Sequence, residues 1–306
     1  MISSTLKKDF APKALVFTAA LMIVMPATAS NITISKTPPM KSIATNTATP
    51  SSSGEAVTKD IQKELALYKD AAKKGAAKAQ FNLGVMYSLG DGVEKNEAEA
   101  IKWYKKSADQ GYAPAQYYLG LAYSTGTGAQ QNNRTAFKLI EKAAKQNLSM
   151  AQFSLGSMYQ EGVGVAQNKK KAFEWTMRAA NQNDLNAMIK LGIMYSVGDG
   201  VAKDIEKSNA LLRKTIKQSE AMTGANVGAG AEALLGLNQL ESAQTAGDYE
   251  KAVKTLRSAS SKGNPIADYS LASLYEKGFG GAANEGLAKE LYKKSCDGGY
   301  QAACGK

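Results

Sequence analysis

The residues able to do chemistry are few, and their spacing argues against catalysis. The 306 residues contain no histidine, which removes the commonest general base and the commonest metal ligand. The two cysteines, Cys296 and Cys304, are not spaced as the Cys-x-x-Cys of a redox pair. Asp91 and Asp199 stand between loop glycines. One carboxylate per loop is too few for calcium, and a turn role accounts for both. Gly-x-Gly pairs recur, but without the Gly-Lys-Ser/Thr of a phosphate-binding loop. Tyrosines and tryptophans recur at fixed spacing and could stack on sugar or peptide, yet most fall at positions that read as helix core. The expectation is no catalytic residue, no metal and no cofactor.

The N-terminus reads as a signal for export. Lys7 and Lys8 precede an apolar run from Ala14 to Met25, and Ala27-Thr28-Ala29 offers the small-x-small pattern of signal-peptide cleavage. Residues 1–29 are expected to be a signal peptide cut after Ala29; an uncleaved anchor is the competing reading. The run is short for a membrane span of about 20 residues, so no stable span is expected after cleavage. Export places the chain in the periplasm or outside the cell, where a disulfide can persist. Residues 30–58 are rich in Ser, Thr and Pro and cannot bury enough apolar surface to offset their chain entropy. They are expected to be a disordered linker, leaving 59–306 as the folded part. Cleavage removes three lysines and one aspartate and lowers the formal net charge from +11 to +9. A basic surface could meet nucleic acid, anionic lipid or an acidic protein. Export makes nucleic acid the poorest fit, and the charges are scattered as on ordinary solvated helix faces.

From about Asp60 the chain repeats itself. A Leu-Gly pair ends at Gly84, Gly120, Gly156 and Gly192, 36 residues apart; Gly236 comes after 44, and Leu271-Ala272 after 36 more. Counting from that glycine, alanine stands five before, as at Ala79 and Ala115, and tyrosine three after, as at Tyr87 and Tyr123. Glycines stand six and eight after, as at Gly90 and Gly92, and Asn or Asp twelve after: Asn96, Asn132, Asn168, Asp204, Asp248 and Asn284. Ala, Leu and Tyr at steps of four make a buried stripe on one helix. The Gly-x-Gly loop ends that helix, because glycine accepts positive φ. The Asn or Asp caps a second helix, with Asn96 and Glu99 spaced as a capping box. Alanine with Trp103, Leu139, Trp175, Leu211 or Leu291 forms the inner face of the second helix, and Gly111, Asn147, Asn183, Gly263 and Gly299 close it. Each unit is a helical hairpin that cannot bury its apolar face alone, so neighbours must stack into a superhelix. The fold expected is all-α: a solenoid of about six hairpins, preceded by a capping helix at about Asp60 to Lys74. The fifth unit departs, with eight extra residues near Ser219 to Gly230 and neither the Gly-x-Gly loop nor the tyrosine. The insertion is expected either to form a surface loop or to change the curvature.

The pattern Ala-x-x-x-Leu-Gly-x-x-Tyr-x-x-Gly-x-Gly-Val, then Ala-x-x-Trp as at Ala100 to Trp103 and Ala172 to Trp175, resembles the Sel-1-like repeat. The likeness covers about Asp60 to the C-terminus. It is specific in four units, weaker in the fifth, and the sixth lacks the valine. The resemblance implies a right-handed α/α superhelix related to tetratricopeptide repeats, and adaptor or scaffold roles in envelope regulation, secretion or host contact. Cys296 to Cys304 aligns with Ala108 to Gln116 and is similar to the cysteine-rich branch of the family. In that branch such a pair staples the second helix of one hairpin to the next first helix, so the similarity implies a disulfide at the last such junction. Some cysteine-rich relatives bind or slowly hydrolyse β-lactams. A serine acyl-enzyme needs an activated hydroxyl, as in Ser-x-x-Lys, and here that spacing occurs at Ser4 to Lys7, inside the signal segment.

The same resemblance implies that the first helices line the concave face. Residues two before, one after and five after the landmark glycine share a face beside the core stripe. They differ from unit to unit: Asn82, Val85 and Leu89; Tyr118, Leu121 and Thr125; Ser154, Ser157 and Glu161; Lys190, Ile193 and Val197. Core positions repeat while these vary, as a surface tuned to an irregular protein partner would; unconstrained surface also varies, which leaves both readings open. Tyr118 is the best single anchor, since aromatic residues dominate interface energetics.

Overall fold

A computed structural model of the chain describes residues 54–222, 227–279 and 282–306. The expected signal segment and linker residues 30–53 lie outside them. The described residues form thirteen α-helices and no strand. Helix α1 (Gly54–Lys73) begins ahead of the expected Asp60. Six consecutive pairs come next: α2 (Ala77–Leu89) and α3 (Glu97–Asp109), α4 (Ala113–Thr125) and α5 (Asn133–Lys145), α6 (Ser149–Glu161) and α7 (Lys169–Asn181), α8 (Leu185–Val197) and α9 (Ile205–Ala221), α10 (Val227–Ser242) and α11 (Ala246–Ser261), α12 (Pro265–Lys277) and α13 (Glu285–Asp297). A 3-10 turn at Gln301–Ala303 is last. The chain divides into two compact units, with the boundary between Asn168 and Lys169.

In the unit ending at Asn168, α1 to α6 pack each on the next. The landmark glycine sets how closely the two helices of a pair approach. A Cβ on Gly120 would lie 2.7 Å from Ile140 Cγ1 and 3.3 Å from the Ala136 carbonyl oxygen; on Gly84 it would lie 2.6 Å from the Tyr104 ring. The second loop glycine does the same between pairs. A Cβ on Gly128 would sit 2.7 Å from the Glu97 carbonyl oxygen, and on Gly164 2.1 Å from that of Asn133. A Cβ on Gly92 would lie 2.6 Å from Ile61 Cγ2. Ile61 precedes Glu97 by one repeat, so α1 stands where a second helix would, as its sequence implied.

The caps repeat with the helices. Asn96 and Asn132 each accept a hydrogen bond from the backbone N–H three residues on, at 3.0 and 2.9 Å. Their own N–H groups donate to the carbonyls of Tyr87 and Tyr123, both at 2.8 Å, which holds each loop against the helix it leaves. Glu99 does not complete a capping box at Asn96; its carboxylate pairs with Lys102 at 2.8 Å. Asn147 takes φ +67°, the left-handed backbone that Gly111 adopts one repeat earlier.

The unit beginning at Lys169 runs from α7 to α13, again each helix on the next. Gly192 and Gly236 admit Leu212 and Leu256, which a Cβ would meet at 3.1 and 2.7 Å. Asp204 and Asn284 cap α9 and α13. The extra residues of the fifth repeat lengthen helices: α9 continues to Ala221 and α10 already begins at Val227. Asp248 is not the N-cap of α11. The helix starts earlier, Thr245 is the cap, and Asp248 is the third residue of a reciprocal capping box. The loss of the Gly-x-Gly loop lets α10 and α11 close on a three-residue connection. There Asn238, fully buried, accepts from Ser196 at 2.6 Å and donates to Ser208 and Asn209 at 2.9 and 3.0 Å. At the C-terminal end Cys296 and Cys304 are bonded, with Cα atoms 5.0 Å apart.

A buried polar ladder also runs through the first two repeats. Gln80 and Gln116 donate to the carbonyls of Ala72 and Ala108, at the end of the preceding second helix. Each then accepts from the glutamine closing its own second helix: Gln110 at 2.7 Å and Gln146 at 2.8 Å. In the fifth repeat the same places hold an ion pair, Glu232 with Lys262.

These contacts set three expectations for stability. Gly162 and Gly164 share φ near +70°, but a Cβ on Gly162 has its nearest neighbour at 3.5 Å and one on Gly164 at 2.1 Å. In denaturant unfolding Gly162→Ala should cost about 1–2 kcal/mol, the left-handed penalty, and Gly164→Ala about 1–3 kcal/mol more from the clash; equal losses would contradict the close approach. The backbone N–H groups of Gln244 and Thr245 hold the Asp248 carboxyl below its usual range. Its stabilisation is therefore present above the unfolded-state pKa and lost as pH falls through the lowered one. Asp248→Asn should lower the melting temperature at neutral pH, with the gap closing in acid. Replacing Cys296 and Cys304 by alanine should cost about 2–3 kcal/mol, as expected for a short closed loop; calorimetry of both forms checks it.

Candidate functional site

The face left beside the core stripe is set by helix geometry. On α2, α4 and α6 the residues six and two before the landmark glycine, and one and five after it, lie in line. These are Lys78, Asn82, Val85 and Leu89; Pro114, Tyr118, Leu121 and Thr125; Met150, Ser154, Ser157 and Glu161. Asn82, Tyr118, Ser154 and Ser157 are half-buried, while Leu89 and Met150 are exposed.

Aromatic side chains join the three helices. Phe81 on α2 meets the Tyr118 ring edge-on at 5.4 Å and Tyr112 at 5.6 Å. Tyr104 of α3 lies behind, 6.0 Å from Tyr118. Tyr117 packs edge-on against Tyr118 and its hydroxyl lies 3.3 Å from Ser154 Oγ on α6. Burial raises the phenol pKa of Tyr118 and of Tyr112 above the ordinary value, so both stay neutral and neither is a base. Tyr118 is thus half-buried, with three neighbouring rings packed against it.

Four of the residues expected on this face are closed off. Val85 and Leu121 are buried, as are Lys190 and Ile193 in the other unit. The position one past the glycine points at the next hairpin: Val85 packs with Ala115 and Leu119, and Ile193 with Ala231, Leu234 and Leu235. Lys190 lies about one turn before Ile193 on α8, which packs against the lengthened α10 as well as α9. Asn82, Tyr118, Ser154 and Ser157 keep part of their surface open, beside the exposed Leu89 and Met150.

The described residues offer little for chemistry. No group of three or more His, Cys, Asp or Glu among them is placed to hold a metal ion, and no helix among them is long and apolar enough to cross a membrane. Ser4 and Lys7 lie outside them. Hydroxyl, carboxylate and amine meet at Ser260, Asp268 and Lys294: Ser260 donates to Asp268, and Lys294 donates to Asp268 Oδ1 at 2.9 Å and to Ser260 Oγ at 3.1 Å. Asp268 is 2% exposed and already paired with the ammonium. The cluster ties α11, α12 and α13 together and offers no unpaired base to activate the serine.

Comparison with known proteins agrees with this geometry. The Sel1 repeat family matches residues 77–112, 113–148, 149–184, 185–220, 229–264 and 265–300. The chain is similar to the solved structure of a Sel1 repeat protein from Oxalobacter formigenes, at 27% identity and a TM-score of 0.61, over 76% of this chain and 96% of that one. It is also similar to a protective antigen present in uropathogenic Escherichia coli strains, at 26% identity and a TM-score of 0.50, over 79% of this chain and 66% of that one. No curated protein matches the chain. Sel1 repeats mediate contacts between proteins, and their fold is mainly a non-enzymatic scaffold. With six matched repeats that fall on the six helix pairs, the chain belongs to the Sel1 repeat family.

Proposed function

We propose that the protein is an exported, non-enzymatic adaptor that works in the periplasm or outside the cell and binds another protein along the first-helix face of α2, α4 and α6. The observation that carries this reading is Tyr118, a half-buried aromatic ring packed against Phe81, Tyr104 and Tyr117. A ring whose rotamer is already fixed loses little entropy on binding, and aromatic anchors with such support dominate interface energetics. Asn82, Ser154 and Ser157 add neutral hydrogen-bonding groups on the same face, while Val85 and Leu121 are buried against the core. The signal segment supports export, with the mature chain starting at Ser30.

Affinity capture tests this directly. Residues 30–306 should retain one specific protein from an envelope extract, and Tyr118→Ala should reduce retention by about tenfold, the loss of a strong anchor, while circular dichroism stays unchanged. Retention unaffected by Tyr118→Ala would place the partner elsewhere. N-terminal sequencing of the exported product should begin at Ser30; a product beginning at Met1 would refute cleavage.

A further inference from the structure

Charge is segregated between the two kinds of helix in the unit ending at Asn168. Helices α2, α4 and α6 hold two charged residues in 39 positions, Lys78 and Glu161, and these stand at opposite corners of the face. Helices α3 and α5 hold eleven in 26. On α5, Arg134, Lys138 and Lys142 are all exposed, one turn apart. On α3 three cations balance three carboxylates, so the cation surplus of these helices sits on α5, and the first-helix face holds only Lys78 and Glu161 at its corners. The same face carries two of the four large hydrophobic side chains exposed among the described residues, Leu89 at 44% and Met150 at 36%.

We infer that the first-helix face of this unit docks an uncharged polypeptide segment, with apolar or aromatic side chains at its centre and no Asp, Glu, Lys or Arg there. This rests on the reading that the partner lies on this face, and it fixes the chemistry of the segment. A charged side chain brought against α4 would lose its water and meet no counter-ion, because α4 has no charged residue. An apolar one gains the surface of Leu89, Tyr118 and Met150, bordered by the hydrogen-bonding groups of Asn82 and Ser154. The anchors lie on three helices, linked through the Phe81–Tyr118 and Tyr117–Ser154 contacts. A segment crossing from α2 to α6 touches all of them. Binding by this protein should therefore be insensitive to salt despite a formal net charge of +11.

A phage-displayed library of random dodecapeptides, panned on residues 30–306, tests this. The expected enriched motif is aromatic or aliphatic and free of charge. A synthetic peptide carrying it should change its Kd by less than about twofold between about 50 and 500 mM salt, since there is little charge to screen. Leu89→Ser with Met150→Ser, two exposed positions that leave the core intact, should weaken it by about tenfold. A charged motif with salt-dependent affinity that is still lost in this double variant would overturn the inference and leave the docking face standing. Acidic peptides insensitive to the double variant but lost on Lys138→Glu with Lys142→Glu would overturn both. Enrichment of nothing above a bare-surface control would also count against the inference.

Discussion

The contact on which the rest of the structure depends is the one at the landmark glycine, where two helices approach closer than a methyl group allows. At Gly84, Gly120 and Gly236 the opposing side chain stands within 2.7 Å of where a Cβ would be, and at Gly192 within 3.1 Å. The second helix can then present Tyr104, Ile140, Leu212 or Leu256 directly to the backbone of the first. The second loop glycine transfers this closeness to the next pair, where Gly128 and Gly164 rest on the carbonyls of Glu97 and Asn133. Small residues thus set both spacings of the repeat. Packing at that density leaves little freedom in how one pair sits on another within a unit.

Most of this was legible in the sequence, because backbone constraints leave residue-type signatures. Positive φ demands glycine or asparagine, so the helix ends at Gly111 and Asn147 could be read in advance. The caps at Asn96, Asn132, Asp204 and Asn284 fell where the spacing put them. Asp248 misled because it sits at the same spacing while the fifth repeat has exchanged its loop for longer helices; Thr245, three residues earlier, was the stronger cap. The glutamine ladder was missed because a buried glutamine looks like a surface one until its partner, 30 residues away, is placed. Gln80, Gln116 and Gln152 recur at one repeat position, and that recurrence was the available signal.

The candidate face was legible by position but not by depth. Helix periodicity placed Asn82, Val85 and Leu89 on one line, yet could not tell that the neighbouring hairpin closes over Val85 and leaves Leu89 open. Depth depends on which side chains the next repeat supplies, and those vary from unit to unit. Tyr118 is half-buried, with Phe81, Tyr104 and Tyr117 packed against its ring. The face joins a fixed ring, two exposed apolar side chains and neutral polar groups, on helices that hold almost no charge. Under the proposed reading such a surface would recognise shape and apolar chemistry, while the charged residues of this unit lie mostly on its second helices.

The most direct test of partner binding on the first helices is hydrogen exchange of residues 30–306, free and with the captured partner. Added protection should concentrate in peptides from α2, α4 and α6 and spare those from the outward turns of α3 and α5. Protection centred on α3 and α5, with α4 unchanged, would contradict a first-helix docking face.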